Sequence, residues 1–189
     1  MDLFEYISVL TSIIVGLGIA HLLRGVAGLV QHPGRHKFYW VHLVWVLSTF
    51  FNMIFFWWWE FALNDMEVWL FRHYLLIILY AVSLYLLCAL LFPADLDDHD
   101  GYQDYFLSRH RWFFGLFGLT QIIDVFDTLM KGADHVSRLG TDYIILASSF
   151  VLIGVIGAST RKHGVHAPLA IFALVYQAWW AFQYWSSQV

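Results

Sequence analysis

Charge, cysteine and proline are all scarce in this chain. Only 13% of its 189 residues are Asp, Glu, Lys or Arg, whereas a soluble domain carries about 25%. The single cysteine, Cys88, excludes an intrachain disulfide and lies inside an apolar segment, as is typical of a buried thiol. The three prolines lie at or near the ends of apolar segments, so none is expected to interrupt a membrane span: Pro33, Pro93 and Pro168.

Sequence motifs of several functional classes are missing as well. The chain contains no Walker loop, no dinucleotide-binding glycine pattern, no HExxH zinc helix and no nucleophile elbow. No catalytic residue and no metal ligand is therefore assigned, which favours a protein that is not an enzyme. The formal net charge of −4 gives no reason to expect a nucleic-acid partner. The first apolar block is too long for a signal-peptide core and no basic residue precedes it, so a cleavable signal is not expected.

Apolar residues make up 60% of the chain, and they fill six blocks of about 20 residues, the length that crosses a bilayer as a helix. The blocks cover residues 6–30, 38–59, 68–92, 112–130, 139–159 and 167–185, and the fifth is the least apolar at its start. We therefore predict an all-α polytopic protein with six transmembrane helices. Residues 1–189 would form one transmembrane domain surrounded by the lipid bilayer.

The basic residues in the connecting loops predict the orientation of the chain. Lys and Arg concentrate in the loops after the first, third and fifth blocks. Because cytoplasmic loops carry the excess of these residues, we predict a bacterial-type inner-membrane protein with both termini outside (periplasmic). The longest of these loops, residues 93–111, is acidic. Leu96 and Leu107 stand where a calcium loop would need ligands, so it is interpreted as a solvated cytoplasmic linker.

The same loop divides the six blocks into two sets of three. Two related sets of three helices would be inverted with respect to each other in the membrane. Residues 18–30 and 118–130 share an apolar pattern, and each segment begins with glycine, but the remaining blocks show no convincing match. An inverted 3+3 arrangement is one interpretation, and coincidence between two leucine-rich helices is the other.

Two ionisable residues, Arg24 and Asp124, lie inside apolar blocks. Such side chains are costly in hydrocarbon unless they are paired or hydrated, so they indicate a polar interior. Arg24 is the basic residue expected to meet Asp124, although chain direction places the two in opposite halves of the bilayer. Either Arg24 reaches across the midplane or water fills the space between them. His21 lies one turn from Arg24, on a glycine-rich face that is typical of a packing seam.

The fourth block carries the strongest polar pattern. Its polar residues recur every three or four positions and therefore share one face of a helix: Thr120, Asp124, Asp127 and Lys131, flanked by Gln121 and Thr128. Asp127 and Lys131 have the spacing of an ion pair along a helix. Asp124 has no basic residue at that spacing, so its partner must come from another helix, a proton or water.

Tryptophan concentrates at the side predicted to be external. Trp57, Trp58 and Trp59 stand together directly before Glu60. An interfacial aromatic belt explains the tryptophans, and an aromatic cage with Glu60 for a cationic ligand is the alternative. These four residues are assigned to an external aromatic and acidic rim, in which Glu60 is expected to be solvated.

Three hypotheses about function follow from these residues. The leading hypothesis is a channel or transporter for protons or small ions, whose path is lined by Arg24, Asp124, Asp127, His21, Gln121, Thr120 and Lys131. The alternative is a non-catalytic subunit or scaffold of a larger membrane complex, in which the same residues hold helices together. A weaker alternative is a redox subunit that binds haem or quinone, since three histidines lie within spans: His21, His42 and His73. A chain this compact is expected to act as a homo-oligomer or as a subunit of a membrane complex.

Overall fold

The computed structural model of the protein describes residues 3–66 and 68–184. The described chain forms six α-helices and no β-strand: α1 Leu3–Gln31, α2 Trp40–Glu60, α3 Phe71–Leu91, α4 Tyr102–Met130, α5 Ala133–Ser159 and α6 His163–Gln183. A 3-10 helix, Phe61–Asp65, follows α2. All six α-helices are long and apolar enough to cross a membrane. This confirms the predicted all-α, six-helix membrane fold, because backbone in lipid must satisfy its own hydrogen bonds.

Some helix boundaries differ from the predicted ones. Helix α4 begins at Tyr102, so the second half of the predicted acidic linker 93–111 is helical. It is helical because Tyr102, Phe106 and His110 recur at a four-residue spacing and form a buried face. Helix α6 begins early enough to place Pro168 inside it. Trp185, the predicted end of the sixth helix, lies outside the described residues.

Helix α5 consists of two segments that meet at Gly140. This glycine has φ of +62°, a left-handed conformation that favours residues without a Cβ, and it interrupts the helix there. The fifth span was predicted to start at Leu139, so the prediction found the long segment and missed the short one, residues 133–139. The short segment is too polar to be recognised by hydropathy alone.

The helices pack as a closed ring in the order α1, α3, α4, α5, α6 and α2, with α2 also contacting α3 and α4 across the ring. Connections of a few residues make consecutive helices antiparallel, so both described ends of the chain lie on one side, here named the terminal side. Helix α1 packs mainly against α3, whereas α4, its counterpart in a repeat, packs mainly against α5. The inverted 3+3 arrangement therefore stays a prediction.

An aromatic layer fills the half of the bundle away from the terminal side. The indole ring of Trp45 lies edge-on to the rings of Phe113, Phe114 and Phe117, with centroid separations of 5.4, 5.1 and 5.3 Å. All four side chains are fully buried. Edge-to-face contacts of this kind add to the apolar burial of each ring, so the layer is dense and dry.

Three side chains close the C-terminal end of α3, where helix carbonyls have no partner within the helix. The Nε2 atoms of His21 and His42 donate to the carbonyl oxygens of Phe92 and Leu91, at 2.8 and 2.7 Å. The hydroxyl of Tyr105 donates to the carbonyl oxygen of Leu90 at 2.9 Å. These bonds satisfy carbonyls that would be costly to leave unpaired in an apolar surrounding.

His21 also shows how far α1 extends. It lies level with the end of α3, and α1 continues for about 15 Å beyond it at 1.5 Å per residue. Arg24 is one turn past His21, so it lies beyond the end of α3. Its exposure on the outer face of α1 agrees with that depth.

Candidate functional site

A buried charge cluster joins the terminal-side ends of α2 and α4. The ammonium of Lys131 donates to Oε1 of Glu60 at 3.0 Å and also to the carboxylate of Asp127. The side chains of Lys131, Glu60 and Asp127 are 3%, 9% and 1% exposed. The structure thus forms the Asp127–Lys131 pair that the i, i+4 spacing predicts. It also places Glu60 inside the bundle, which corrects its assignment to a solvated rim.

Lys131 remains charged within this cluster. Burial disfavours its ammonium form, but the carboxylates of Asp127 and Glu60 outweigh burial and hold the pKa of Lys131 above its usual value. Lys131 is therefore a fixed positive charge at the terminal-side end of α4.

Asp124 is held by two tyrosines. The hydroxyl of Tyr80, on α3, donates to Oδ1 of Asp124 at 2.7 Å. The hydroxyl of Tyr143, on α5, donates to Oδ2 at 2.8 Å. Hydroxyl donors stabilise a carboxylate by short charge-assisted hydrogen bonds without bringing a second charge into the bundle.

The expected contact between Arg24 and Asp124 is not formed. Arg24 has no ion pair within residues 3–66 and 68–184, and α1 is separated from α4 by α3 in the ring. His21 is likewise away from the cluster, at the end of α3. The predicted path residues therefore divide into two groups, because Asp124, Asp127, Gln121 and Lys131 line one cavity whereas Arg24 and His21 do not.

A second polar network lies deeper in the bundle and centres on Gln177. Its Oε1 accepts from the hydroxyl of Ser48 at 2.8 Å, and its Nε2 donates to Oδ1 of Asn52 at 2.8 Å. Thr120, predicted to line the path, donates its hydroxyl to the carbonyl oxygen of Leu116 at 2.8 Å and does not reach the cavity. Gln177 was not selected from the sequence, although a glutamine inside an apolar span was a signal for it.

A cavity of about 80 Å³ connects these polar groups. At about 30 Å³ per water it has room for roughly two to three water molecules. Its wall on α4 is polar, and the other helices add both polar and apolar side chains. It consists of Asn52, Phe55, Phe56, Trp59, Glu60, Tyr80, Gln121, Asp124, Asp127, Thr128, Lys131, His135, Leu139, Tyr143, Leu146, Phe150, Gln177 and Trp180. Trp59 thus belongs to the cavity, whereas Trp57 and Trp58 are exposed on the outer surface as an interfacial belt requires.

Three buried polar atoms of the cavity wall have no hydrogen-bond partner within the described chain: Oε2 of Glu60, Oδ1 of Asp127 and Nδ2 of Asn52. Buried polar atoms are ordinarily satisfied, so these atoms require water, a proton or a ligand in the cavity. The charges lead to the same conclusion. Three carboxyl groups meet one ammonium, so two further positive charges are needed for neutrality.

The cavity does not cross the bundle. Its deepest wall residues, on the side away from the termini, are Asn52, Gln121 and Gln177. Beyond them lies the aromatic layer around Trp45, which is fully buried. At its other end the wall of the cavity includes His135 and Leu139 from the short segment of α5. The structure therefore contains a one-sided polar chamber and not a continuous pore.

The residues considered for cofactors do not converge on this chamber. No group of three His, Cys, Asp or Glu side chains suited to a metal ion occurs among the described residues. His21 and His42 each use Nε2 to bond a carbonyl of α3, and His73 lies at the opposite end of that helix. Their arrangement does not form a pair of axial haem ligands across a common cavity.

Replacing Tyr80 with phenylalanine is expected to lower the free energy of unfolding by about 1–3 kcal/mol, because a buried carboxylate oxygen loses its donor. The loss should appear as a lower unfolding temperature of the purified protein in detergent. Tyr85→Phe is the matched control on the same helix, since the Tyr85 hydroxyl makes no hydrogen bond within the described residues. Equal unfolding temperatures for the two variants would contradict the role of Tyr80.

Comparisons of the chain with protein-family models, with curated proteins and with solved structures found no match.

Proposed function

We propose that this integral membrane protein is a transporter for protons or small cations, which bind in the chamber formed by Asp124, Asp127 and Glu60. The observation that carries the proposal is the unequal count of charges, with the buried carboxyl groups of Glu60 and Asp127 and the half-buried carboxyl group of Asp124 against the single ammonium of Lys131. Buried charge without a counter-charge is costly. A chamber that is short of two positive charges therefore has a physical reason to take up protons or cations.

A transporter fits this geometry better than an open channel does. Conduction through a channel needs a polar path across the whole bundle, and the aromatic layer around Trp45 closes one end of the chamber. In alternating access, a central site is open to only one side at a time. The kink at Gly140 offers a hinge beside the terminal-side wall, where His135 and Leu139 line the chamber. The chamber is then the binding site, and α5 supplies its terminal-side gate.

The direction of transport depends on the orientation of the bundle. Both termini are taken to lie outside a bacterial-type inner membrane, because the loops on the opposite side carry the excess of Lys and Arg. The chamber then faces the periplasm. A homo-oligomer or a larger membrane complex would cover part of the extensive apolar outer surface of the bundle.

Replacing Asp127 with asparagine tests this function. Proteoliposomes with a pH-sensitive dye inside are given a potassium diffusion potential, and the initial rate of proton entry is measured with and without external sodium. The variant should reduce the protein-dependent rate about tenfold or more, because one charge of the binding site is lost while Glu60 still pairs with Lys131.

Asp142→Asn is the control, because Asp142 is exposed on α5 and lies outside the chamber wall. It removes the same charge at the same end of the bundle and should leave the flux unchanged. Wild-type protein without proton or sodium flux, or an Asp127→Asn variant with the wild-type rate, would refute the proposal.

A second candidate function is a non-transporting subunit that holds a larger complex together. The observation in its favour is that many of the polar contacts join different helices, as those of Tyr80 and Tyr143 do at Asp124. In that case Asp127→Asn should lower the unfolding temperature of a protein that shows no flux in the wild type.

A further inference from the structure

A second cavity lies on the outer surface of the bundle, next to the chamber. It is a groove of about 230 Å³ between the first turns of α1, the end of α2 and the start of α3. Its wall is largely apolar and includes Ile7, Trp57, Leu63 and Ile77. The hydroxyl of Thr11, also in the wall, donates to the carbonyl oxygens of its own helix. The groove is therefore a surface for hydrocarbon, reached from the membrane.

Glu60 is the residue that lines both the groove and the chamber. Its Oε1 accepts from Lys131, and its Oε2 is buried without a partner in the described chain. A buried carboxylate oxygen at the inner end of an apolar groove matches a molecule that has a cationic head and an apolar tail. The wall of the chamber adds aromatic rings from Trp59 and Trp180, whose faces attract organic cations.

Metal ions and protons fit the groove and the chamber less completely than an organic cation does. The described residues contain no cluster of three acidic, His or Cys ligands for a metal ion, and Lys131 already occupies the space between Glu60 and Asp127. A proton requires no apolar groove. An ammonium group can donate to the free oxygens of Glu60 and Asp127, and its alkyl chain removes apolar groove surface from contact with lipid headgroups and water.

We propose that an amphipathic amine is among the cations that the chamber takes up, with its ammonium at Glu60 in the chamber and its alkyl tail in the groove between α1 and α3. This inference rests on the proposed function and adds a substrate class to the protons or small cations proposed there. The amine partitions into the outer part of the bilayer and enters from the side, so the groove acts as the entrance and Glu60 as the first charge that it meets.

The test measures the binding of octylammonium to the full-length protein in neutral phosphatidylcholine nanodiscs, by the change in tryptophan fluorescence. Partition into the same nanodiscs without protein is subtracted. The wild type should show saturable binding. Glu60→Gln should weaken it about thirtyfold or more, because a charged partner of the ammonium is lost. Ser8→Trp, in the wall of the groove, should fill the groove and weaken binding about tenfold.

Methylammonium, which has no tail, is the matched probe. Its binding should require Glu60 and should be unaffected by Ser8→Trp. Octanol, which has the tail without the charge, should not compete with octylammonium. If Ser8→Trp leaves octylammonium affinity unchanged, or if octanol competes as well as octylammonium, the groove is not the tail site and the inference is overturned.

The outcome also separates this inference from the proposed function. If neither amine binds while proton or sodium flux still depends on Asp127, the amine proposal fails and the transporter for protons or small cations stands. If flux through Asp127 fails as well, both are refuted. Size-exclusion chromatography of Glu60→Gln and Ser8→Trp checks that each variant is folded. An unchanged octylammonium affinity in either folded variant is enough to overturn the inference.

Discussion

Substitution of Lys131 by methionine is expected to lower the free energy of unfolding by about 3–5 kcal/mol. Removing one partner of a buried ion pair leaves the other charge without compensation, which costs about this much. At this site two carboxylates lose their common partner, because Lys131 contacts both Glu60 and Asp127. The measurement is the temperature at which the purified protein loses its monodisperse peak in size-exclusion chromatography after heating.

Arg138→Met is the control for Lys131→Met. Arg138 is exposed on the same side of the bundle, so its loss should change stability by less than about 0.5 kcal/mol. A triple variant, Lys131→Met with Asp127→Asn and Glu60→Gln, should recover most of the stability, because replacing a whole buried charge cluster is far less costly than breaking it. Wild-type stability of Lys131→Met would show that the cluster is not formed.

Gly154→Ala is expected to destabilise the protein by about 1–3 kcal/mol through overpacking. A Cβ atom at Gly154 would lie 2.9 Å from Cα of Gly118 and 3.0 Å from the carbonyl oxygen of Phe114. Both neighbours are backbone atoms of α4, so no side-chain rotation can relieve the contact. Helices α4 and α5 must separate, and this helix pair carries the polar row of the chamber and the kink at Gly140.

The matched control for Gly154→Ala is Gly115→Ala on α4. A Cβ atom at Gly115 meets no other atom within 4 Å. Alanine is a better helix former than glycine by about 1 kcal/mol, so this variant should be as stable as the wild type or more stable. The two substitutions are therefore expected to change stability in opposite directions, and their unfolding temperatures in detergent should differ clearly. A stabilising effect of Gly154→Ala would contradict the close approach of α4 and α5.

Glu60 shows why the partners within the chamber could not be read from the sequence. It follows three tryptophans at the end of an apolar block, a position typical of the membrane surface. Its burial depends on Lys131, which is distant in the chain and reaches Glu60 only because α2 and α4 end beside each other. Tyr143 and Tyr80 meet Asp124 for the same reason, since three helices must first pack before the contact exists.

Arg24 shows that the depth of a residue in the membrane is also difficult to predict from the sequence of one helix. Counting residues from the predicted ends of one block placed it inside the span. The depth that matters is relative to the neighbouring helices, and His21 shows that α1 extends past the end of α3. An arginine beyond the end of its neighbour can extend its long side chain toward the membrane surface.

The sequence by itself determined the features that depend on neighbouring residues along one helix. The length of each apolar block defined six membrane helices, and the 3.6-residue period placed Asp124, Asp127 and Lys131 on one face of α4. Tertiary structure alone decided which helices meet that face, that the chamber is closed on one side by the aromatic layer around Trp45, and that Glu60 belongs to it. The physical reason is that a helix forms from residues close together along the chain, whereas charge compensation and closure of the chamber depend on side chains from separate helices.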